Sequence, residues 1–256
     1  MPHILIVDSN PEEINAPTRA RQGTTTGENY AAALRACRED LQITIVAPYD
    51  GEDAPPLKNF DGVVFTGSGV DWNTDDARAA PLRAVMERVF DAGLPTLGSC
   101  NGMQLAASVL GGASDASPNG REDGLAKDIA LTEAGKTHPL LQGRRDGYAV
   151  PCIHRDEVTR LPEGAVVLAG NAHSQVQAMA YEKDGIKFWG MQYHPEFDPA
   201  NLAPVLDELG FMASDESAQF ARIEVEPDAA RALGARPEEM RPDVRMTELS
   251  NWLASL

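Results

Sequence analysis

The run Leu94-Pro95-Thr96-Leu97-Gly98-Ser99-Cys100-Asn101-Gly102-Met103-Gln104 turns a strand into a helix around a single cysteine. A short apolar strand ends, two small residues follow, and a helical run begins after Cys100 and continues through Leu110. Small neighbours let the backbone turn sharply and project one side chain from the carboxyl edge of a sheet. This is the geometry of a nucleophile elbow, built on cysteine instead of serine. The new helix aims its amino-terminal end at Cys100, and that end favours a thiolate over a thiol. Gly98 and Gly102 on either side argue against a cysteine that merely fills a core.

Upstream of the elbow, strands and helices alternate. Strands are predicted over residues 3–7, 41–46 and 60–65, with helices over 29–38 and 76–92. The second helix spaces Leu82, Val85, Met86, Val89 and Phe90 for one buried face. Residues 11–27, with proline, glycine and three threonines in a row, read as a loop. The alternation implies a parallel sheet covered on both faces. Downstream, short strands are predicted over 128–131, 148–153, 165–169, 176–181 and 186–191, with a hairpin turn at Asp184-Gly185. Their connections are too short for crossover helices, so they read as antiparallel additions at one edge. The expected fold is therefore α/β, with a mostly parallel central sheet and antiparallel additions. A helix over 199–209 closes a unit spanning 1–210. Residues 211–256 read as a C-terminal extension with helices over 227–233 and 246–256. Trp252 and Leu256 imply that it docks on its own domain or on a sister subunit.

A second segment, Gly190-Met191-Gln192-Tyr193-His194-Pro195-Glu196, supplies the rest of a cysteine-based site. A strand ends at Tyr193 and Pro195 blocks further regular pairing. Glu196 can then fold back on the His194 ring and fix the tautomer that lets the other ring nitrogen accept a proton. Acyl transfer also needs donors for an oxyanion. The Asn101 amide, just after the nucleophile, is one. The loop Thr66-Gly67-Ser68-Gly69, at the carboxyl end of a parallel strand, is placed to supply another. That loop lacks the residues of a phosphate loop, and no HExxH or CxxC pattern points to a metal. His138, His154 and His173 read as structural or surface residues, and the turn at His154-Arg155-Asp156-Glu157 as a rim of the pocket. Arg144 and Arg145 read as surface residues.

The 256 residues carry a formal net charge of -17, which opposes binding to nucleic acid or to anionic membranes. Three widely spaced cysteines, Cys37, Cys100 and Cys152, fit a reducing cytoplasm. The opening MPHILIVDSN reads as a first strand, not a signal peptide.

Together the two motifs resemble the class I glutamine amidotransferase family, especially stand-alone proteins similar to the glutaminase domain of GMP synthase. Gly98, Cys100, Gly102 and Gln104 stand in register with the family's elbow, and Gln192, Tyr193, His194, Pro195 and Glu196 with its second motif. The resemblance covers residues 1–210 and implies a three-layer, flavodoxin-like fold with a Cys100–His194–Glu196 triad. Cys100 would attack the side-chain amide of L-glutamine, His194 would shuttle protons, and Glu196 would orient His194. Asn101 with Gly67 or Ser68 would hold the oxyanion through backbone amides. Gln104 would help hold the substrate, and the strand region around residues 171–175, with His173, would lie near its amino-acid end. No cofactor or metal is implied. Two residues depart from the family pattern: Ser99 replaces an aliphatic residue and Tyr193 a phenylalanine. No synthetase motif follows. Ammonia would then pass to a separate synthetase, or the hydrolysis of glutamine or another γ-glutamyl amide is the whole task. A non-catalytic regulatory or binding protein on the same fold is the alternative from another class, and a homo-oligomer is compatible with the sequence.

Overall fold

The computed structural model describes all residues, 1–256. Its first strand, His3–Val7 (β1), is buried along nearly its whole length, as a strand between two layers of helices must be. It pairs in parallel with Gln42–Val46 (β2) on one side and Gly62–Phe65 (β3) on the other. Thr96–Ser99 (β4) continues the parallel run from β3. The remaining strands of the chain are Ala113–Ala116 (β5), Glu122–Leu131 (β6), Tyr148–His154 (β7), Asp156–Arg160 (β8), Val166–Gly170 (β9), Ala178–Lys183 (β10) and Ile186–Met191 (β11). The central sheet has nine strands in the order β2-β1-β3-β4-β11-β10-β9-β6-β7. β11 is the seam: it runs parallel to β4 and antiparallel to β10. The carboxyl ends of β3, β4 and β11 therefore lie side by side, and all three candidate motifs sit there.

Side-chain alternation along the parallel strands sorts the core into two layers. Ile4, Ile6, Val64 and Leu97 face one way, against Tyr30 and Leu34 of helix Thr26–Cys37 (α2). Leu5, Val7, Val63 and Phe65 face the other way. There they meet Leu82, Val85, Met86 and Val89 of helix Ala80–Asp91 (α3) and Met103 and Leu105 of helix Asn101–Val109 (α4). Helix Pro199–Glu208 (α5) seeds a third, smaller cluster with helices Ser214–Phe220 (α6), Pro227–Ala232 (α7) and Pro237–Met240 (α8). The chain ends in Pro242–Arg245 (α9) and Thr247–Ala254 (α10). Leu249, Trp252 and Leu253 of α10 join the core layer that contains α2. No helix is long and apolar enough to cross a membrane.

Trp252 is 1% exposed, and a Cβ on Gly62 of β3 would meet its ring at 2.9 Å. Trp252→Ala is expected to cost about 3–5 kcal/mol, the range for emptying an aromatic site in a core. Urea unfolding checks this: an unchanged midpoint would mean that the C-terminal helix contributes little to the fold.

The structure corrects three expectations and adds a sheet that none foresaw. Residues 11–27 are not a loop, because Glu12–Gln22 is a helix (α1). Pro17 inside it removes one amide donor without breaking it. Asn15 anchors the helix to Asp8 at 3.0 Å, and left-handed Gly23 (φ 78°) ends it by donating to the Arg19 carbonyl. The strand predicted over 128–131 is the end of β6, which begins at Glu122. Positive φ at Gly124 and Asp128 and a register shift between Ala126 and Ile129 hide its alternation. β5 and β8 form a separate two-stranded sheet that short, polar sequences concealed. Arg144 is not a surface residue: its side chain is 1% exposed and makes a bidentate pair with Glu248 at 2.7–2.8 Å.

Candidate active site

Between β4 and α4, Cys100 adopts φ 49° and ψ -107°, a conformation that an L side chain adopts only under strain. Contacts on both sides over-determine it. The Cys100 amide donates to Met191 O at 2.7 Å, and the Gln104 amide donates to Cys100 O at 3.0 Å. A Cβ on Gly98 would lie 2.7 Å from the Gly102 carbonyl carbon, and one on Gly102 would lie 2.4 Å from Phe65 O. Only glycines let β3, β4 and α4 approach this closely. The thiol points toward the Ile153 carbonyl, with 3.9 Å from Sγ to O. Ser99 faces the opposite layer, where its hydroxyl meets Tyr30 Oη at 2.8 Å. A hydroxyl stands in place of the aliphatic side chain there because α2 brings a buried phenol to meet it.

His194 follows β11. Its amide donates to Pro151 O at 2.8 Å, and its Nδ1 donates to Glu196 Oε1 at 2.6 Å. Phe197 stacks on the ring at a centroid distance of 4.2 Å and an interplanar angle of 8°. Burial pushes the imidazole pKa down. The Glu196 charge and hydrogen bonds to Cys100 and Glu196 more than offset this, so the group is pushed up to about 10.

Gly67 brings the second side chain to the first. A Cβ placed there would lie 2.4 Å from His194 Cε1, 3.3 Å from Nε2 and 3.5 Å from Cys100 Cβ, so the Cε1–Nε2 side of the ring and the cysteine flank the same glycine, and the two side chains share a hydrogen bond. The loop carrying Gly67 is tied down from β1's side. Thr66 Oγ1 accepts from the Ser9 amide at 2.9 Å, Ser68 Oγ donates to Ser9 O at 2.6 Å, and Asn10 Oδ1 accepts from the Gly69 amide at 2.8 Å. The amides of Gly67, Ser68 and Asn101 donate to no atom of the chain. They are therefore free to serve an oxyanion near Cys100.

Gln104 is buried beneath the elbow. Its Nε2 donates to Asp156 O at 2.7 Å and to Gln192 Oε1 at 3.2 Å, which links the two motifs. His173 makes no hydrogen bond to the Cys100–His194–Glu196 group. Its ring packs edge-on against His154 at 5.7 Å, and its carbonyl accepts from Asn119 Nδ2 at 2.7 Å. His154 is held by Glu122 at 2.8 Å, and Glu122 also accepts from Asn171 and Gln177 at 2.7 Å each. Burial pushes the Glu122 carboxyl up, but these donors outweigh it and hold its pKa below the ordinary value. Sequence reading passed over Glu122, whose partners lie between 32 and 55 residues away. Arg155 and Asp156 rim a depression of about 400 Å³ whose other walls include Asp71, Trp72 and Arg78. No group of three or more histidine, cysteine or acidic side chains is placed to hold a metal ion.

Residues 23–211 match the family model described as glutamine amidotransferase class-I. The chain is 34% identical over 212 residues to a gamma-glutamyl-L-1-hydroxyisopropylamide hydrolase from Pseudomonas sp, an alignment covering 80% of this chain and 71% of that protein. It is 37% identical over 138 residues to a GMP synthase from Actinobacillus succinogenes, covering 53% of this chain and only 25% of the synthase. Among solved structures, a glutamine amidotransferase from Thermotoga maritima superposes with a TM-score of 0.68 at 19% identity, covering 100% of this chain and 98% of that one. A glutamine amidotransferase from Methylobacillus flagellatus gives 0.66 at 17% identity, covering 100% and 95%. At these identities the solved structures establish the three-layer fold.

Proposed function

The chain belongs to the class-I glutamine amidotransferase family, and on that premise we propose that it is a cysteine-dependent amidase of γ-glutamyl amides, of which L-glutamine is the simplest. The observation that supports this most is the strained Cys100 sharing a hydrogen bond with His194, with Glu196 on Nδ1 of the same ring. In the proposed cycle the Cys100 sulfur attacks the amide carbonyl and the carbonyl oxygen becomes an oxyanion. The amides of Asn101 and of Gly67 or Ser68 receive that charge. Nε2 of His194 then gives its proton to the departing nitrogen, the C–N bond breaks, and a γ-glutamyl thioester remains on Cys100. Nε2, now neutral, takes a proton from water. The resulting hydroxide attacks the thioester, the C–S bond breaks to release the Cys100 thiolate and the product, the acid proton of the product passes to the released amine or to solvent, and the proton taken from water stays on the Cys100–His194 pair. We assign Gln104 to the floor of the substrate pocket. We place His173 near the amino-acid end of the substrate, behind His154.

A second reading, hydrolysis of an amide bearing a substituted nitrogen, is favoured by the Pseudomonas relative, which aligns over far more of its own length than the synthase does. Release of glutamate from L-glutamine and from a set of N-substituted γ-glutamyl amides separates the two. Higher kcat/KM on substituted amides would assign the second reading. Higher kcat/KM on glutamine would assign L-glutamine itself as the substrate. Turnover of neither would overturn the amidase proposal.

Glu196→Gln is expected to lower kcat by less than Cys100→Ala does, by a margin of about 10²-fold, as loss of a triad carboxylate compares with loss of its nucleophile. The carboxylate charge holds the imidazolium, so its loss lets the His194 pKa fall from about 10 toward the ordinary 6.5. The alkaline limb of the pH–rate profile should therefore move to lower pH. An unmoved limb would remove Glu196 from its assigned role.

A further inference from the structure

Glu196 is held to His194 through one oxygen only. Its Oε2 is buried and has no hydrogen-bond partner. No other side chain grips the carboxylate, so its aim depends on the main chain that presents it. That main chain is clamped by a residue from the far end of the sequence. Arg245 Nη1 donates to Pro195 O at 2.6 Å and to Phe197 O at 2.5 Å, the carbonyls on either side of Glu196. Its Nη2 donates to Glu224 at 3.1 Å, and its side chain is 6% exposed. Three residues further on, Glu248 Oε1 accepts from Tyr193 Oη at 2.8 Å, while Arg144 and Tyr148 enclose the same pair. The segment 193–197 is thus gripped from both ends by residues 245 and 248, which lie outside the matched 23–211.

We propose that Arg245 is a positioning residue for the site: by gripping the carbonyls of Pro195 and Phe197, the residues before and after Glu196, it holds that carboxylate on His194 Nδ1. This rests on the reading of His194–Glu196 as part of the catalytic group. A buried guanidinium is expensive to desolvate and is a poor device for stability alone. Here Nη1 reaches two carbonyls while Nη2 reaches Glu224, a spread that a planar guanidinium holds and an ammonium on a flexible stem holds less well. The hydroxyl of Tyr193 has the same logic. It departs from phenylalanine because the C-terminal extension supplies Glu248 to receive it.

The test uses the full chain as wild type, Arg245→Met, Arg245→Lys and Tyr193→Phe, with circular dichroism and thermal unfolding as the control for folding. The first readout is steady-state kinetics on whichever γ-glutamyl amide the wild type hydrolyses. The second is the pH dependence of Cys100 alkylation by iodoacetamide, resolved by peptide mass spectrometry. Arg245→Met should lower kcat by about 10- to 100-fold with KM changed by less than about threefold, as a misplaced catalytic group does. Arg245→Lys should recover part of that loss. The alkylation midpoint of Cys100 should rise, because a displaced Glu196 no longer supports the imidazolium beside the thiolate. Should Arg245→Met not fold, Arg245→Lys and Tyr193→Phe, which keep the buried charges, decide with the same two readouts. A fall in unfolding temperature with wild-type kcat per folded molecule and an unmoved alkylation midpoint would overturn the proposal. If the wild type hydrolyses no γ-glutamyl amide, the alkylation profile alone decides. A shifted midpoint would then uphold the clamp while the amidase reading falls.

Discussion

Cys100→Ala will abolish hydrolysis of every γ-glutamyl amide that the wild type turns over, with a loss of about 10⁴-fold or more in kcat, the scale for removing a covalent nucleophile. The fold should survive. Beyond its hydrogen bond to His194, the Cys100 side chain makes a weak contact, the 3.9 Å approach to Ile153 O. The strained backbone at φ 49° is set by Met191, Gln104 and the flanking glycines, and all of these remain. Alanine keeps the Cβ, so the turn meets no new steric demand. Glutamate release and the unfolding midpoint, measured on one preparation, check both halves. Wild-type turnover in pure Cys100→Ala protein would end the thioester mechanism. It would also leave the strain at residue 100 without a purpose.

Gly67→Ala is expected to lower kcat by about 10²-fold or more. Gly67 has no positive φ, so its backbone would accept alanine without strain and the effect is purely one of space. The added methyl would lie 2.4 Å from His194 Cε1. The ring cannot yield easily, since Phe197 stacks on its face and Glu196 holds Nδ1. Either the imidazole swings away from Cys100 or the loop carrying the Gly67 and Ser68 amides backs off. Both movements spoil the same step, proton transfer in the first case and oxyanion stabilisation in the second. Stability should change little because the loop's ties to Ser9 and Asn10 do not involve that methyl. Steady-state kinetics with a thermal scan measures both, and near-wild-type kcat would mean that His194 does not work from the position described.

The elbow and the His194 segment were legible in the sequence because their chemistry is local. A nucleophile on a sharp turn needs small residues at its immediate neighbours, and a histidine oriented by the second residue after it needs only a short loop. The parallel half of the sheet was legible for a similar reason, since buried strands and an amphipathic helix such as α3 announce themselves by period. What stayed hidden depends on partners far away in the chain. α1 was masked by Pro11 and Pro17, and it stands because Asn15 reaches Asp8 and Gly23 closes its end. β5 and β8 are too short and polar to signal a pair across 40 or more residues. Arg144 reads as an ordinary surface charge until Glu248, 104 residues later, arrives to neutralise it. Ser99 and Tyr193 were visible as departures from the family pattern. Only Tyr30 and Glu248, brought in by α2 and α10, give each hydroxyl its partner.

The most direct test of the central claim is to quench the enzyme with acid during turnover of a γ-glutamyl amide and map the adduct by peptide mass spectrometry. The account predicts a γ-glutamyl thioester on Cys100, absent from Cys37 and Cys152 and absent in the Cys100→Ala protein. Turnover with no acyl group on Cys100, under a quench that preserves thioesters at saturating substrate, would contradict it.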